Sequence, residues 1–447
     1  MFREFEVSQP IFAEYVYNIV DYGAVGDGQV SNTEAFRTVM TAAAQTGGRV
    51  LVPDGIWLTG PIELLSGVEL HLSDNAILLF DKNQEEYPLV ITDFEGVARI
   101  RATSMLHAQH AENIAITGKG IIDGNGHLWR PVKDWKMTER QWEVLLKVSP
   151  YVIEGKESNV WAPSESFYKG YMAGEIMPTE PGALEKATPY YDFYRPVMVS
   201  LKYCNKVLID GVTFRNSPAW NIHPHFCTNL TVRNATIFNP YHAQNGDGID
   251  VESCRNVEIH HCDFQTGDDG ICMKAGKNAE ARKIPGPCEN VHIHHCTVGN
   301  SHGGFVIGSE MSRGVRNVLV EDCSFINSDV GIRFKSALGR GGVIEDIYMK
   351  RIHMVNIKEE AVVFTMDYVL DILGNKEKTV VSGLDEDVPE FKNIFIEDCL
   401  CAGAEIGVRI KGMEWKEPTI HDVHIINCKF QAQKENEFVH CENIRVE

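Results

Sequence analysis

Three aspartates, one histidine and two cations recur between Asn245 and Lys335, a set able to perform acid–base hydrolysis of an anionic substrate. They sit in Asn245-Gly246-Asp247-Gly248-Ile249-Asp250, Gly267-Asp268-Asp269-Gly270, Ser301-His302-Gly303-Gly304 and Arg333-Phe334-Lys335. Carboxylates crowded together do not all ionise, so one keeps its proton at neutral pH while the others can activate water. Glycoside hydrolysis needs that pair of roles. Singly, each motif is ordinary, because Asp-Gly is common turn chemistry. Calcium is another partner for clustered aspartates, but the segment from Asn245 lacks the terminal Glu of an EF-hand loop. His260-His261 and His292-x-His294-His295 suggest zinc by composition, yet they fall in polar slots of a repeat and read as surface histidines.

The elements that must position this set are visible as that repeat. Val257, Ile259, Cys262 and Phe264 occupy offsets one, three, six and eight, and the same offsets give Val207, Ile209, Val212, Phe214 and Leu230, Val232, Ala235, Ile237. They return from Val291, Val318, Ile347, Ile394 and Val423, often with Asn in front. Apolar residues two apart share one face of a strand, and the three-residue step marks a bend. Short strands at such intervals without helices between them describe a β-solenoid rather than a propeller, whose blades need four strands. Cys262, Cys296, Cys323, Cys399 and Cys428 should stack inside. Asp268 and His302 each lie 11 residues after their anchors, Val257 and Val291, so they should touch on successive coils. Asp247 and Asp269 are 22 residues apart, close to one short coil. Gly267 and Gly270 are expected to let the backbone bend so that both adjacent aspartates reach one cleft.

Elsewhere, Ser31 or Asn32 can cap a helix with an Ala35, Phe36, Val39, Met40, Ala43 stripe, ended by Gly47-Gly48. Runs at 49–52, 57–58 and 68–72 read as strands. The glycines from Gly23 to Gly28 lack the spacing of a phosphate or dinucleotide loop and read as a turn. Residues 127–195, with Trp129, Trp135, Trp142 and Trp161, and the polar residues 369–390 break the repeat and read as insertions. Exposed tryptophans there could stack on sugar rings. The formal charge of -20 disfavours nucleic acid and anionic membrane as partners. Twelve cysteines with no recognisable signal segment suggest free thiols in a reducing, cytoplasmic setting. No apolar run is long enough to span a membrane.

These residues resemble the polygalacturonases, glycoside hydrolase family 28. Asp21-Tyr22-Gly23-Ala24 and Val52-Pro53-Asp54-Gly55-Ile56-Trp57 look like that group's N-terminal portion. Its Asn-Thr-Asp, Asp-Asp, Gly-His-Gly and Arg-Ile-Lys patterns are met by Asn245-Gly246-Asp247, Asp268-Asp269, Ser301-His302-Gly303 and Arg333-Phe334-Lys335. The resemblance implies an all-β, single-stranded right-handed parallel β-helix over 1–447, with a small cap at 1–48 containing one helix. It implies inverting hydrolysis of α-1,4-galacturonosyl linkages in pectic oligosaccharides, without cofactor or metal. Asp268 would be the general acid, Asp247 and Asp269 would hold water, and His302 would tune the acid. Arg333 and Lys335 would grip the substrate carboxylate, with Asn245, Lys274 and Arg313 as further substrate contacts. Acid and base should stand roughly 6.5–9.5 Å apart. The run from Ser301 to Asn317 looks like bacterial exo-acting members, and the aromatic insertion could close one end of the cleft. The nearest rivals are a rhamnogalacturonan hydrolase of the same family and a calcium-dependent pectate lyase.

Overall fold

Each repeat becomes one coil. In the computed structural model, which describes residues 1–156, 158–368 and 385–447, the anchors lie directly over one another in a 13-stranded sheet. Val207 pairs with Leu230, Leu230 with Val257, and the register continues through Val291, Val318, Ile347, Ile394 and Val423. A second ladder stacks short strands such as Asp263–Gln265, Thr297–Gly299 and Ser324–Ile326. The third stacks Ile249–Glu252, Ile271–Lys274, Gly303–Ile307, Val330–Lys335 and Glu360–Thr365. The winding is a right-handed parallel β-helix.

The three-residue step in the repeat is a single left-handed residue. His261, His295, Asp322 and Asn427 all have φ between 53° and 54°, which turns the chain from the first ladder into the second. The Asn found before many of the anchors has the same cause. Asn229, Asn256, Asn290 and Asn317 adopt φ of 53–56°, a region Asn tolerates better than other side-chain-bearing residues. Their amides also ladder between coils, Asn290 donating to Asn256 at 3.0 Å and Asn317 to Asn290 at 2.8 Å.

The inward faces form one hydrophobic column from Ile19 to Ile425. Cys262, Cys296, Cys323 and Cys399 are buried in it, while Cys428, near its end, is only partly covered. A second thiol stack was not visible in the repeat: Cys204, Cys227, Cys254 and Cys288 lie where the chain enters the first sheet. All twelve cysteines are unpaired.

The cap helix spans Thr33–Thr46 and buries Phe36, Val39, Met40 and Ala43. Asn32 stands at its N-cap position without capping it. Its side chain instead accepts from the Val25 amide at 2.7 Å and donates to the Leu58 carbonyl at 3.0 Å, tying the cap loop to a strand.

The insertion at 127–195 is more ordered than loops. It holds helices Glu139–Val148, Glu165–Ala173 and Ala183–Ala187 and a small antiparallel sheet. A Thr138–Gln141 capping box opens the first helix. A second excursion is the antiparallel hairpin Leu89–Phe94 with Val97–Ala102. Its tip crosses to a distant coil, the Gly96 carbonyl accepting from the Lys277 amide at 3.1 Å. Gly96 has φ +74, and a Cβ there would lie 2.5 Å from the Lys277 nitrogen, so only glycine permits this docking. Of the polar stretch expected at 369–390, residues 369–384 lie outside the described residues.

Candidate active site

The loops that precede strands of the third ladder carry the acidic groups, and the strands themselves carry the cations. Asp247 precedes Ile249–Glu252, Asp268 and Asp269 precede Ile271–Lys274, and His302 precedes Gly303–Ile307. Because Ile249 pairs with Ile271, the two preceding loops stack, and the Gly248 amide donates to the Asp269 carbonyl at 2.9 Å. His302 meets Asp268 as its coil position predicts: its amide donates to the Asp268 carbonyl at 2.9 Å, and Nδ1 lies 3.5 Å from Oδ1. Along Val330–Lys335, Phe334 points into the core while Arg333 and Lys335 face the cleft.

Gly267 and Gly270 serve closeness rather than bending. Neither has a positive φ. A Cβ on Gly267 would come within 2.6 Å of the Ala243 and Pro240 carbonyl oxygens, and one on Gly270 within 2.3 Å of Val298. Glycine therefore lets neighbouring loops close onto the aspartates.

One oxygen of each carboxylate, Asp247, Asp268 and Asp269, lies within 4.8 Å of the other two. At their nearest oxygens these groups approach more closely than the 6.5–9.5 Å expected between whole carboxyl groups. The coil rise of about 4.8 Å and the adjacency of two of the three set this tighter distance. Burial, then the like charges of Asp250, Asp268 and Asp269, push Asp247 well above the usual carboxylate range. Burial would also raise Asp268, but His302, Lys136 and Lys335 outweigh it and hold it below that range. The surroundings thus favour the protonated form at Asp247 and the ionised form at Asp268. Burial would lower Lys335, but Asp269 wins and keeps it charged, with Nζ donating to Oδ2 at 2.7 Å.

Lys136 joins the site unannounced by any repeat, from the insertion. Its ammonium donates to the carbonyls of Tyr241 at 3.1 Å and Gly267 at 2.8 Å and approaches His302 Nε2 at 3.0 Å. An ammonium can only donate, so Nε2 accepts and a neutral His302 carries its proton on Nδ1, facing Asp268. Burial drives Lys136 down to about 8, partly opposed by Asp268. Lys136→Met is expected to lower kcat/KM by about 10- to 100-fold, as loss of a group orienting a functional histidine does elsewhere. In the wild type this interaction fades as pH rises through 8, so the variant's pH profile should lack that limb. The sign for stability is opposite to that of a salt-bridged lysine. The charged lysine costs stability below its folded-state value, and the cost fades between pH 8 and about 10.4, its unfolded value.

The remaining predicted contacts divide. Lys274 lines the cleft, donating to Glu310 at 3.0 Å and lying 3.6 Å from Asp250. Asn245 also lines it and accepts from Arg195 at 2.8 Å. Arg313 does not belong to it. Its guanidinium donates to the Ala281 and Ile284 carbonyls and to Ser253 and stacks on Phe226 on the flank, because the turn before Val315 aims it away from the cleft. Of the insertion's tryptophans, Trp129 and Trp161 are core and Trp135 lines the cleft at 53 % exposure. The surface histidines stack between coils, His260 on His294 at 4.9 Å, on the first sheet and outside the cleft. Asp250, fully buried and raised by burial, sat unread at the end of the first motif.

The cleft, about 840 Å³, thus holds the whole catalytic candidate set, Asp247, Asp268, Asp269 and His302, beside Arg333 and Lys335. Residues 191–388 match the sequence pattern of glycosyl hydrolases family 28. The chain is 28% identical over 408 residues to a probable polygalacturonase of Vitis vinifera, covering 89% of this chain and 70% of that one. It is 32% identical over 361 residues to the exo-poly-alpha-D-galacturonosidase of Dickeya chrysanthemi, covering 79% of this chain and 57% of that one. The crystal structure of a hyperthermoactive exopolygalacturonase from Thermotoga maritima superposes with a TM-score of 0.79 at 31% identity, covering 99% of this chain and 94% of that one. With the pattern, the coils and the end-to-end likeness in agreement, the chain belongs to the glycosyl hydrolases of family 28.

Proposed function

We propose that this protein hydrolyses α-1,4-galacturonosyl linkages in galacturonan, removing units from a chain end with inversion at the anomeric carbon. The observation that carries the reading is a carboxylate triad sharing one cleft with two cations, the half-buried Arg333 and the buried Lys335. Similarity to proteins named for exo action supports the end-directed part. So do the hairpin at 89–102 and the insertion, whose Phe94, Tyr171 and Phe193 help to wall the cleft.

The charges suggest how the acid is loaded. Lys335 is one of the groups that hold Asp268 deprotonated. A substrate carboxylate docking on Arg333 and Lys335 cancels part of that pull and displaces water, so the proton affinity of Asp268 rises as substrate binds. A proton at Asp247, where the surroundings favour it, can then be redistributed within the triad. Asp268 delivers it to the departing glycosidic oxygen while Asp247 and Asp269, now acceptors, draw a proton from water attacking the anomeric carbon. A divalent cation is a weaker reading of the triad, because Lys335 already pairs with Asp269 and the surroundings of Asp247 favour its neutral form.

A galacturonate oligomer labelled at its reducing end tests the reaction. Short unlabelled products should appear first, and the newly released sugar should be the β-anomer in the first NMR spectra. Early internal cuts would overturn end-directed action, the α-anomer would overturn inversion, and an ultraviolet-absorbing unsaturated product would make the protein a lyase. Asp247→Asn makes a separate test. A carboxyl whose folded-state pKa is raised destabilises the fold increasingly as pH rises above its unfolded value, near 3.9. The amide should therefore raise the melting temperature at pH 7 by about 1–3 °C while activity is lost. Calorimetry at pH 4 should show less difference.

A cytoplasmic location is part of the same proposal, and the twelve unpaired thiols support it. Cell fractionation tests it directly.

A further inference from the structure

We propose that the part of the cleft walled by the hairpin is a second carboxylate-binding subsite, in which Arg101 receives a galacturonate unit other than the one held by Arg333 and Lys335. The inference rests on the reading of the substrate given above.

Arg101 lies on the hairpin strand Val97–Ala102 and lines the cleft, with only 7 % of its surface exposed. Its neighbours Arg99 and Arg195 each leave only Nε buried and unpaired among the described residues. Arg99 pairs with Glu175 at 2.8 Å. Arg195 donates to the carbonyls of Pro218 and Gln244 and to Asn245. Arg101, by contrast, has Nε and Nη2 buried without a hydrogen-bond partner among the described residues. Its guanidinium lies 3.9 Å from the centre of the Phe94 ring, which in turn packs on Trp220 at 4.4 Å. Glu95 and Glu175 are near enough to favour its charge, without a hydrogen bond or ion pair.

A buried cation with unmade hydrogen bonds is costly unless something completes it. Burial lowers Arg101 to about 10, so it remains charged at neutral pH and cannot relieve the cost by losing its proton. The group that would complete it is a planar anion, which a guanidinium takes in two parallel bonds. The place is right for a neighbouring sugar. Arg101 and Arg195 line the same cleft as the triad, and Arg195 donates to Asn245, two residues before Asp247. The hairpin that supplies Arg101 lies outside residues 191–388, in a part of the chain that the family pattern does not cover.

Calorimetric titration of the Asp268→Asn protein with the linear galacturonate trimer, and with its carboxyl-methylated form, tests the subsite. Adding Arg101→Gln should weaken the acid trimer by about 10- to 100-fold, the scale of a lost charge-assisted contact, and leave the methylated trimer within about twofold. Arg101→Lys should recover part of the loss. Unchanged affinity for the acid trimer would overturn the proposal, and so would equal losses for both trimers, which would mark Arg101 as a structural residue only. If the Asp268→Asn parent bound neither trimer, the substrate reading itself would fall, and the subsite with it.

Discussion

Replacing Asp268 by Asn lowers kcat by about 10²–10⁴ if Asp268 delivers the proton, the range that a positioned general acid supplies. The amide has nearly the same shape and keeps a donor toward the cleft, but it cannot release a proton to the departing oxygen. KM should change far less than kcat, because the group acts on the transition state rather than on substrate binding. The loading mechanism adds a second readout in the wild type. Substrate docking relaxes the pull of Lys335 on Asp268, so the basic limb of kcat should lie at higher pH than that of kcat/KM. Coincident limbs would remove the loading mechanism. Normal turnover by Asp268→Asn would remove the acid assignment as well.

Lys335→Met has the largest expected effect on stability. Lys335 and Asp269 form an almost fully buried pair, 5 % and 2 % exposed, at 2.7 Å. Removing only the lysine leaves a buried carboxylate beside two others, and breaking a buried pair in this way costs about 3–5 kcal/mol. The measurement is denaturant unfolding at pH 7, alongside the double variant Lys335→Met/Asp269→Asn. The double variant should regain most of the loss, because no uncompensated charge remains, while activity stays low in both. A single variant as stable as the wild type would show the pair to be solvated, and the reading of Lys335 as a rigid substrate anchor would lose its basis.

Of the residues brought together in the cleft, Asp247, Asp268, Asp269, His302, Arg333 and Lys335 were legible because they ride on the repeat. Once the offsets of Val257 and Val291 are known, counting 11 residues from each brings Asp268 to His302. Lys136 and Arg101 were not legible. They come from the insertion and the hairpin, which have no period, so no count relates them to a coil. Gly96 gives no hint in sequence that it docks on Lys277. Arg313 failed for a related reason: it lies in a turn between ladders, where the direction of a side chain follows the turn and not the period.

The sequence alone determined the winding, since a period-two apolar pattern with a left-handed break has one way to bury its inward face, by stacking coil on coil. It also determined which residues share a coil position. The tertiary structure decided the spacing of the triad, the surroundings that favour a proton at Asp247 over Asp268, and the shape of the cleft. Those depend on the fixed rise between coils, on charges contributed by distant excursions, and on how closely loops can approach across a glycine. None of these is periodic along the chain.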